Sequence, residues 1–289
     1  MMKVFIAYAN EKYQRARNFA GKMARRFGGF DKIILYGPED IDSEFIEKYK
    51  ETFSIKRGAG LWLWKSYIIN KALKEECQLG DYLFYSDSGA FFIRSVDYII
   101  RAMGNENIFV SCVPLVEWQF SKRDAFQLMN CDTEEFRNSA QVQSGFICLR
   151  KSKQSDKFAI EYLHWCCDLK VLHSDNIASG QLNPKGFIAS REDQTILSLL
   201  CKKYAVRPHR DPCQFGKYPE KYWLNGFFHA ENIPYKEYPI LILLHRTPRV
   251  NKKVVLKQLL LIIMPRCIGV KFIKRKNKYI VFDNNNKPK

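Results

Sequence analysis

The amino-acid sequence predicts an α/β fold. Short apolar runs alternate with segments whose apolar residues recur at helical spacing, and the first elements form a strand–helix–strand unit. Such units build parallel sheets with right-handed crossovers. The chain has 289 residues, 46% hydrophobic and 14% aromatic, which is enough to bury a sizeable core. This content excludes a disordered chain, and Gly, Pro and Cys are too sparse for a collagen-like or disulfide-stapled protein.

The predicted elements follow one another in chain order. The strands are predicted at Lys3–Tyr8, Lys32–Tyr36, Asp81–Tyr85, Ile108–Val113 and Phe146–Leu149. A helix joins the first two strands, and it ends at Gly28-Gly29 because glycine favours helix termination. Further helices are predicted at Trp62–Glu76, Asp156–Cys167 and Glu192–Lys203. Asp175–Ser190 is rich in Asn, Ser, Gly and Pro, which predicts a surface loop.

The positive charge is concentrated near the C-terminal end of the sequence. The chain carries 47 Lys and Arg residues against 30 acids, a net charge of +17. Between Arg246 and Lys289 there are 13 basic residues and one acid, Asp283, so this segment has a net charge of +12 and the rest has +5. A nucleic-acid-binding protein more often carries its basic stripe across the folded body. We therefore expect no nucleic-acid partner and predict an anionic membrane surface.

Two regions are predicted, a folded domain at residues 1–248 and a basic, partly apolar extension at residues 249–289. Within the extension, Val254–Met264 is predicted to be helical, either inserting into a membrane surface or packing on the domain, and Gly269–Phe282 is compatible with a hairpin. No apolar run approaches the roughly 18 residues of a membrane-spanning helix. No signal peptide is recognised, and the nine scattered cysteines suggest reduced thiols. The expected location is cytoplasmic, at the inner face of the membrane.

Ser86-Asp87-Ser88-Gly89 follows the third predicted strand. In open α/β sheets, ligands bind at the carboxyl ends of strands. The Asp87 carboxylate suits a ribose hydroxyl or a metal-bound diphosphate, since hard cations take oxygen ligands. It suits a turn equally well, as a group that satisfies backbone amides. The local pattern leaves both interpretations open.

Three further segments carry candidate binding groups. Arg57-Gly58-Ala59-Gly60 precedes a helix with Trp64 and Lys65, and a glycine-flanked helix N-terminus suits a phosphate. The amide and hydroxyl groups of Gln143-Ser144-Gly145 suit a hydroxyl-rich ligand. Asp193 and Gln194 begin another helix. The alternatives are a core role for the tryptophan, a plain turn at the second segment, and a first-turn acid favoured by the helix dipole at the third.

A series of motifs resembles a known family. In order, the chain carries Gly60-Leu-Trp-Leu-Trp-Lys65, Gly80-Asp-Tyr-Leu-Phe-Tyr-Ser-Asp-Ser-Gly89, Gln143-Ser-Gly-Phe146, Arg191-Glu-Asp-Gln194 and Leu244-His-Arg-Thr-Pro248. Over roughly Lys3–Pro248 this series resembles bacterial glycosyltransferases of the GT-A fold that assemble capsule or lipopolysaccharide glycans. The resemblance implies a Rossmann-like nucleotide-sugar-binding fold with a mixed central sheet, followed here by the basic extension.

The resemblance also implies a divalent cation, Mn²⁺ or Mg²⁺, at a DxD motif that binds the nucleotide diphosphate. Asp87 aligns with the first acid of that motif. The second position is Gly89, so one carboxylate and the diphosphate oxygens would have to hold the ion. His245 resembles the late metal-binding histidine of some GT-A families. Asp193-Gln194 resembles the Asp/Gln pair near the anomeric carbon of related retaining enzymes, with Asp193 as the first candidate to activate the acceptor.

The expected activity is transfer of a sugar from a nucleotide-sugar donor to a glycan or lipid-linked glycan acceptor. The predicted donor-binding residues are Tyr8, Arg57, Trp64, Lys65, Asp87, Ser88 and Gly89. Gln143, Ser144 and Gly145 are predicted to bind the acceptor or the sugar. The alternatives are a nucleotide-sugar-binding protein without transfer and a nucleotidyltransferase, and the missing second acid keeps both open.

Overall fold

The computed structural model confirms the α/β fold and describes residues 1–175, 178, 180–224, 226–230, 233–234 and 237–276. The strands are β1 Lys3–Tyr8, β2 Lys32–Tyr36, β3 Tyr82–Ser86, β4 Ala90–Phe92, β5 Ile108–Val116, β6 Ala140–Arg150 and β7 Ile242–Leu244. The α-helices are Gln14–Met23, Ser43–Lys48, Lys50–Ser54, Leu63–Glu75, Asp97–Met103, Glu117–Phe120, Arg123–Leu128, Glu134–Arg137, Lys153–Cys167, Leu169–Leu172, Glu192–Lys203, Lys252–Ile263 and Arg266–Lys276. Shorter helical turns lie at Glu11–Tyr13, Ala24–Gly28, Pro38–Asp40, Gly58–Leu61, Gln214–Gly216 and Pro219–Tyr222.

The central sheet is mixed, as predicted. Its five strands have the order β2-β1-β3-β6-β5. β1 runs parallel to β2 and to β3, whereas β6 is antiparallel to β3 and to β5. A second sheet consists of β4 and β7, which are antiparallel. The parallel half follows from the helical crossover between β1 and β2.

The central sheet is buried on both faces, and β1 shows how. Val4, Ile6 and Tyr8 belong to one hydrophobic core, while Phe5 and Ala7 belong to the other. Successive side chains of a strand point to opposite faces, so a strand that is apolar at every position has to be covered on both sides. The first core includes the helices Leu63–Glu75 and Glu192–Lys203, and the second includes the β4–β7 sheet.

Several predicted boundaries are confirmed and others differ. The helix predicted at Asp156–Cys167 begins at Lys153, and β5 continues three residues past its predicted end at Val113. β1, β2 and the helix Glu192–Lys203 lie at the predicted residues. β6 begins at Ala140, six residues before the predicted start at Phe146. The small and amide residues before Phe146 suggested a turn, but they continue the strand through an irregularity in its pairing with β5.

The helices Lys252–Ile263 and Arg266–Lys276, called the tail helices below, pack against the body of the protein. The buried Tyr218 hydroxyl donates to the Leu261 carbonyl at 2.8 Å, and the ring clusters with Leu261 and Ile273. The Lys217 ammonium donates to the carbonyls of Ile262 and Met264, at 2.7 and 2.8 Å. Both the insertion and the packing interpretation remain open, because only one side of the first tail helix is covered.

The prediction that Gly269–Phe282 forms a hairpin is wrong for residues 269–276. Residues 269–276 are helical, and the remainder lies outside the described residues. Pro265 immediately precedes the second tail helix, where its fixed φ favours a helix start. Within the part of the chain that the structure describes, no helix is both long and apolar enough to span a bilayer. The domain boundary at residue 248 stays a prediction.

Tyr218→Phe is expected to lower the free energy of unfolding by about 1–2 kcal/mol, because the carbonyls at the end of the first tail helix lose their buried donor. Chemical denaturation followed by circular dichroism measures this change. Tyr98→Phe is the control, since Tyr98 lies at the surface. Equal stability of the two variants would contradict the docking of the tail helices through Tyr218.

Candidate functional site

A cleft of about 560 Å³ lies at the carboxyl ends of β1 and β3. Most of the predicted site residues line it, namely Tyr8, Trp64, Asp87, Ser88, Gly89, Gln143, Ser144, Gly145 and Gln194. Residues that the sequence analysis did not assign to the site also line it, among them Asn10, Lys12, Lys56, Trp62, Leu244 and Arg246. Four predicted residues are not among its lining, namely Arg57, Lys65, Asp193 and His245.

Asp87 follows β3 and presents its carboxylate to the cleft. The Tyr85 hydroxyl donates to Asp87 Oδ1 at 2.6 Å, and the Asp87 amide donates to the Gly145 carbonyl at 3.0 Å. Its side chain is 44% exposed, and Lys65 Nζ lies 3.5 Å from Oδ1. Tyr85 and Lys65 therefore hold Oδ1 on the protein side, while the carboxylate remains accessible from the cleft. This orientation suits a ligand hydroxyl or a cation.

Lys65 lies beneath the cleft as a buried cation between two carboxylates. Its Nζ is 2.8 Å from Asp193 Oδ2 and 3.5 Å from Asp87 Oδ1, and it donates to Ser144 Oγ at 3.0 Å. Burial alone would lower the pKa of Lys65, but the carboxylates of Asp193 and Asp87 raise it above its ordinary value. Lys65 therefore stays charged, because a buried charge is stable only when it is paired.

Asp193 is buried, and it faces Lys65 instead of the cleft. The Tyr162 hydroxyl lies 3.3 Å from Asp193 Oδ2, so the carboxylate is enclosed on that side as well. The neighbouring Gln194 is the residue of the pair that lines the cleft. The Gln194 amide nitrogen donates to Gln141 Oε1 at 2.8 Å, and its oxygen accepts from the Ser144 amide at 3.4 Å. Asp193 therefore pairs with Lys65, and Gln194 lines the cleft.

The irregular stretch of β6 brings hydroxyl and amide groups into the cleft. Val110 pairs with Ile147, whereas the next residue of β5, Ser111, pairs with Gln143. Ser144, Gly145 and Phe146 therefore bulge away from β5, and bulges commonly re-aim side chains near functional sites. Gly145 comes to lie under Asp87, while the Gln143 amide donates to Ser111 Oγ at 2.8 Å. The turn that the sequence suggested here is a strand bulge.

Residues 58–62 form a left-handed turn before the helix Leu63–Glu75. Their φ values are +61, +51, +92, +53 and +62° for Gly58, Ala59, Gly60, Leu61 and Trp62. Glycine adopts this region freely, but each L-residue costs about 1–2 kcal/mol. Such strain persists only where the surroundings enforce it, and it is commonest at functional sites.

Packing around the turn holds it in place. The Trp64 indole donates to the Gly58 carbonyl at 2.9 Å, and its ring stacks on Tyr8 with centroids 3.9 Å apart. The Arg57 guanidinium lies 5.7 Å from the Trp62 ring and forms an ion pair with Glu192. Trp64 is therefore a core residue whose ring also lines the cleft, and its contact with a donor stays a prediction.

The backbone of residues 245 and 246 packs closely against Gly89. The amides of His245 and Arg246 both donate to the Gly89 carbonyl, at 2.8 and 2.9 Å. A Cβ atom at residue 89 would lie 3.1 Å from the Arg246 Cα and 3.3 Å from its nitrogen. The pairing of β4 with β7 fixes this approach. A side chain at this position would therefore require the Arg246 backbone to shift by a few tenths of an ångström.

Asp87 and His245 have the chemistry of cation ligands. His245 Nδ1 lies 2.8 Å from Thr247 Oγ1, and burial lowers the pKa of His245 to about 4, so the imidazole is neutral. His245 Nε2 is buried without a hydrogen-bond partner among the described residues. No group of three His, Cys, Asp or Glu side chains in the described part of the chain is arranged to hold a metal. Asp87 lines the cleft and His245 is not in its described lining, so a divalent cation in the cleft would need further oxygens from a ligand.

Solved glycosyltransferases are among the structures similar to this one. The apo form of GlyE from Streptococcus pneumoniae TIGR4 is 13% identical, with a TM-score of 0.44, and the match covers 96% of this chain and 65% of that one. Mouse xyloside xylosyltransferase 1 is 10% identical, with a TM-score of 0.45 and coverage of 87% and 100%. A glycosyltransferase involved in glycosylation of the major capsid of PBCV-1 is 11% identical, with a TM-score of 0.43 and coverage of 95% and 100%.

This chain thus spans 65% of the length of the pneumococcal protein. No family model matches the chain, and no curated protein matches it. Similarity at this level assigns no donor, acceptor or catalytic residue to the chain. Those assignments have to come from the cleft itself.

The pair of Lys65 and Asp193 is expected to be strongly coupled. Lys65→Met and Asp193→Leu should each lower the free energy of unfolding by about 3–5 kcal/mol, because each leaves a buried charge without its main partner. The double variant should lose much less than the sum. Urea denaturation of the four proteins measures the coupling.

Glu47→Gln is the control for that cycle, since Glu47 and Lys50 form an exposed ion pair. Such pairs contribute about 0–1 kcal/mol, so this variant should unfold like the wild type. Additive losses at Lys65 and Asp193 would contradict the buried ion pair.

Proposed function

We propose that the chain is a glycosyltransferase of the GT-A fold. It would transfer a sugar from a nucleotide-sugar donor to a glycan or lipid-linked glycan acceptor in the synthesis of a cell-surface polysaccharide. The observation that carries the proposal is the cleft at the ends of β1 and β3, where the half-exposed Asp87 carboxylate lies above the buried Lys65 cation. Both residues belong to the motifs that resemble this family.

The charge of the cleft suits a diphosphate leaving group. Glycosyl transfer passes through an oxocarbenium-like transition state while negative charge develops on the leaving oxygen. Lys12, Lys56 and Arg246 line the cleft, and Lys65 lies directly below it. Fixed cations stabilise such developing charge without reorganising, which makes them effective in a partly desolvated site. Arg57, by contrast, is committed to its ion pair with Glu192.

The remaining residues divide between the nucleotide and the sugar. The stacked rings of Tyr8 and Trp64 form one wall, on which the nucleotide would lie. Ser88 fixes the wall to the Asp87 turn, since its hydroxyl donates to the Tyr8 carbonyl at 2.5 Å. The proposed sugar-side groups are Gln143, Ser144, Gly145 and Gln194.

The proposal gives Asp193 and Gln194 different tasks. Asp193 is a positioning residue that acts through Lys65, because its carboxylate contacts Lys65 and does not line the cleft. Gln194 is the member of the pair that would meet the reacting sugar or the acceptor. Where a cation binds, Asp87 and His245 would hold it, and the cation would supply charge to the diphosphate oxygens.

A nucleotide-sugar-binding protein or a nucleotidyltransferase is the second candidate. The observation in its favour is Gly89, because the backbone of Arg246 occupies the space that a second acid would need. Sugar transfer to an acceptor separates it from the first candidate, since a binding protein would bind the donor and leave it unchanged.

The proposal includes attachment to an anionic membrane surface. The first tail helix has an exposed apolar stripe, defined as Leu256, Leu259, Leu260 and Ile263. These residues recur at helical spacing, opposite the buried Leu261. The exposed Lys252 and Lys253 flank the stripe, and Arg266 follows it. An apolar face with basic neighbours suits the interface of an anionic bilayer. The enzyme would then work at the inner face of the cytoplasmic membrane, with no nucleic-acid partner.

Asp87→Asn is expected to lower donor turnover by orders of magnitude while the fold survives, because the change removes charge and keeps shape. Release of nucleotide from a panel of nucleotide sugars measures the effect, and thermal melting checks the fold. Asp97→Asn is the matched control, since the Asp97 side chain is 46% exposed and is paired with Lys3. Similar turnover in the two variants would remove Asp87 from the site.

Leu256→Ser combined with Ile263→Ser is expected to weaken vesicle binding by at least about tenfold, because two apolar side chains that are 59% and 76% exposed would no longer insert. Sedimentation with vesicles of phosphatidylglycerol and phosphatidylcholine, at low and high salt, measures it. Leu79→Ser is the control, since Leu79 is 83% exposed on the body. A wild-type chain that stays in the supernatant at low salt would show that the tail helices are structural only.

A further inference from the structure

A second cavity, of about 620 Å³, lies beside the donor cleft. We call it the side cavity. Its lining comes from β5, from the segment after His209 and from the start of the second tail helix, and includes Pro114, Arg210, Asp211, Phe215, Tyr222 and Arg266. Its volume falls within the range of about 300–1,000 Å³ that small-molecule sites occupy. None of the assignments made so far uses it.

Two buried polar groups in the side cavity have unused hydrogen-bonding capacity. Asp211 Oδ1 accepts from the Cys213 amide at 2.8 Å, whereas Oδ2 makes no hydrogen bond of good geometry among the described residues, although the Gln143 amide lies beside the carboxylate. The Arg210 guanidinium donates through Nη1 to the Tyr238 carbonyl, while its Nε has no partner in that same set. Both side chains are more than nine-tenths buried. Because an unpaired buried polar group is costly, the pair suits a ligand that donates and accepts hydrogen bonds together.

The walls of the side cavity are mainly apolar. Pro114 and the rings of Phe215 and Tyr222 contribute to them, and the two rings meet edge to face with centroids 6.4 Å apart. A pyranose combines apolar C–H faces with hydroxyl groups, and each hydroxyl is both a donor and an acceptor. Its faces would lie on the aromatic walls and its hydroxyls would meet Asp211 and Arg210.

The cations near the side cavity argue against an anionic ligand. The Lys217 ammonium already donates to two carbonyls of the first tail helix, and Arg266 forms an ion pair with Glu220. The carboxylate of Asp211 would repel a phosphate. A neutral, hydroxyl-rich ring therefore matches the groups that are left to bind a ligand.

The side cavity and the donor cleft have no lining residue in common among the described residues, but two residues of the cleft lie beside groups that line the side cavity. Arg246 lines the cleft, and its guanidinium lies 5.6 Å from the Phe215 ring of the side cavity. Gln143 also lines the cleft. The Gln143 amide also interacts with the Asp211 carboxylate, and this interaction opposes the rise in the pKa of Asp211 that burial causes. A sugar in the side cavity would thus be next to the place where the donor sugar is proposed to bind.

We propose that the side cavity is a subsite for a neutral sugar unit of the acceptor glycan, with Asp211 and Arg210 binding its hydroxyls and Phe215 and Tyr222 contacting its apolar faces. The acceptor role of this subsite rests on the proposed glycosyltransferase function. The binding of a pyranose does not depend on turnover, so it is tested separately.

The test is saturation-transfer NMR on the full chain with the methyl glycosides of glucose, galactose and N-acetylglucosamine. We expect the wild type to bind at least one of them. Asp211→Asn should weaken that binding about tenfold, because the amide keeps the bond to Cys213 and loses the charged acceptor. Tyr222→Ala should weaken it similarly, whereas the surface variant Asp97→Asn should bind like the wild type. Thermal melting confirms that each variant is folded.

Two results would overturn the subsite. In the first, the wild type shows no saturation transfer to any of the methyl glycosides. In the second, folded Asp211→Asn and Tyr222→Ala bind as the wild type does. A failure of the glycosyltransferase proposal looks different, since the wild type would then bind none of a panel of nucleoside diphosphates while pyranose binding still responded to Asp211→Asn.

Discussion

The buried ammonium of Lys65 is the interaction on which the site depends, because four separate parts of the chain converge on it. Lys65 belongs to the helix Leu63–Glu75 and contacts Asp87 after β3, Ser144 in the β6 bulge, and Asp193 at the start of another helix. A charge in a buried position has to be compensated, so these partners cannot move apart without leaving it unpaired. The need to pair the Lys65 charge therefore keeps Asp87, Ser144 and Asp193 at short distances from one another.

The left-handed turn at residues 58–62 is a consequence of this arrangement. The Lys65 amide donates to the Trp62 carbonyl at 2.9 Å, so the helix begins only after the chain has reversed its handedness. Trp62 and Trp64 then both line the cleft, while Lys65 points below it. The strain in three non-glycine residues is balanced by packing such as the Trp64 stack on Tyr8. Sequence spacing alone would have placed all three side chains on one ordinary helix.

Strands and helices with a strong local sequence pattern were predicted correctly, whereas the β6 bulge and part of the cleft lining, which depend on contacts between distant residues, were not. The apolar runs of β1 and β2 and the helix Glu192–Lys203 are local signals, and their bounds were correct. The β6 bulge was not predicted, because the sequence placed Gln143-Ser144-Gly145 before the strand, and their contacts with Asp87 and Lys65 are remote in sequence. Lys12 and Arg246 were overlooked as lining residues, although the position of Lys12 just beyond β1 was a usable signal.

Gly89 and Arg246 connect the departure from the DxD motif to the charge of the cleft. In a metal-dependent site, paired acids attract a cation, and the cation then neutralises the diphosphate. Here the β4–β7 pairing brings the Arg246 backbone close to residue 89, and the exposed Arg246 side chain lines the cleft. Lys12 and Lys56 add to it from the opposite segments. With Asp87 as the acid and Lys12, Lys56 and Arg246 as the cations of its described lining, the cleft carries more positive than negative charge. The same guanidinium lies 5.6 Å from the Phe215 ring of the side cavity, so Arg246 is close to both cavities.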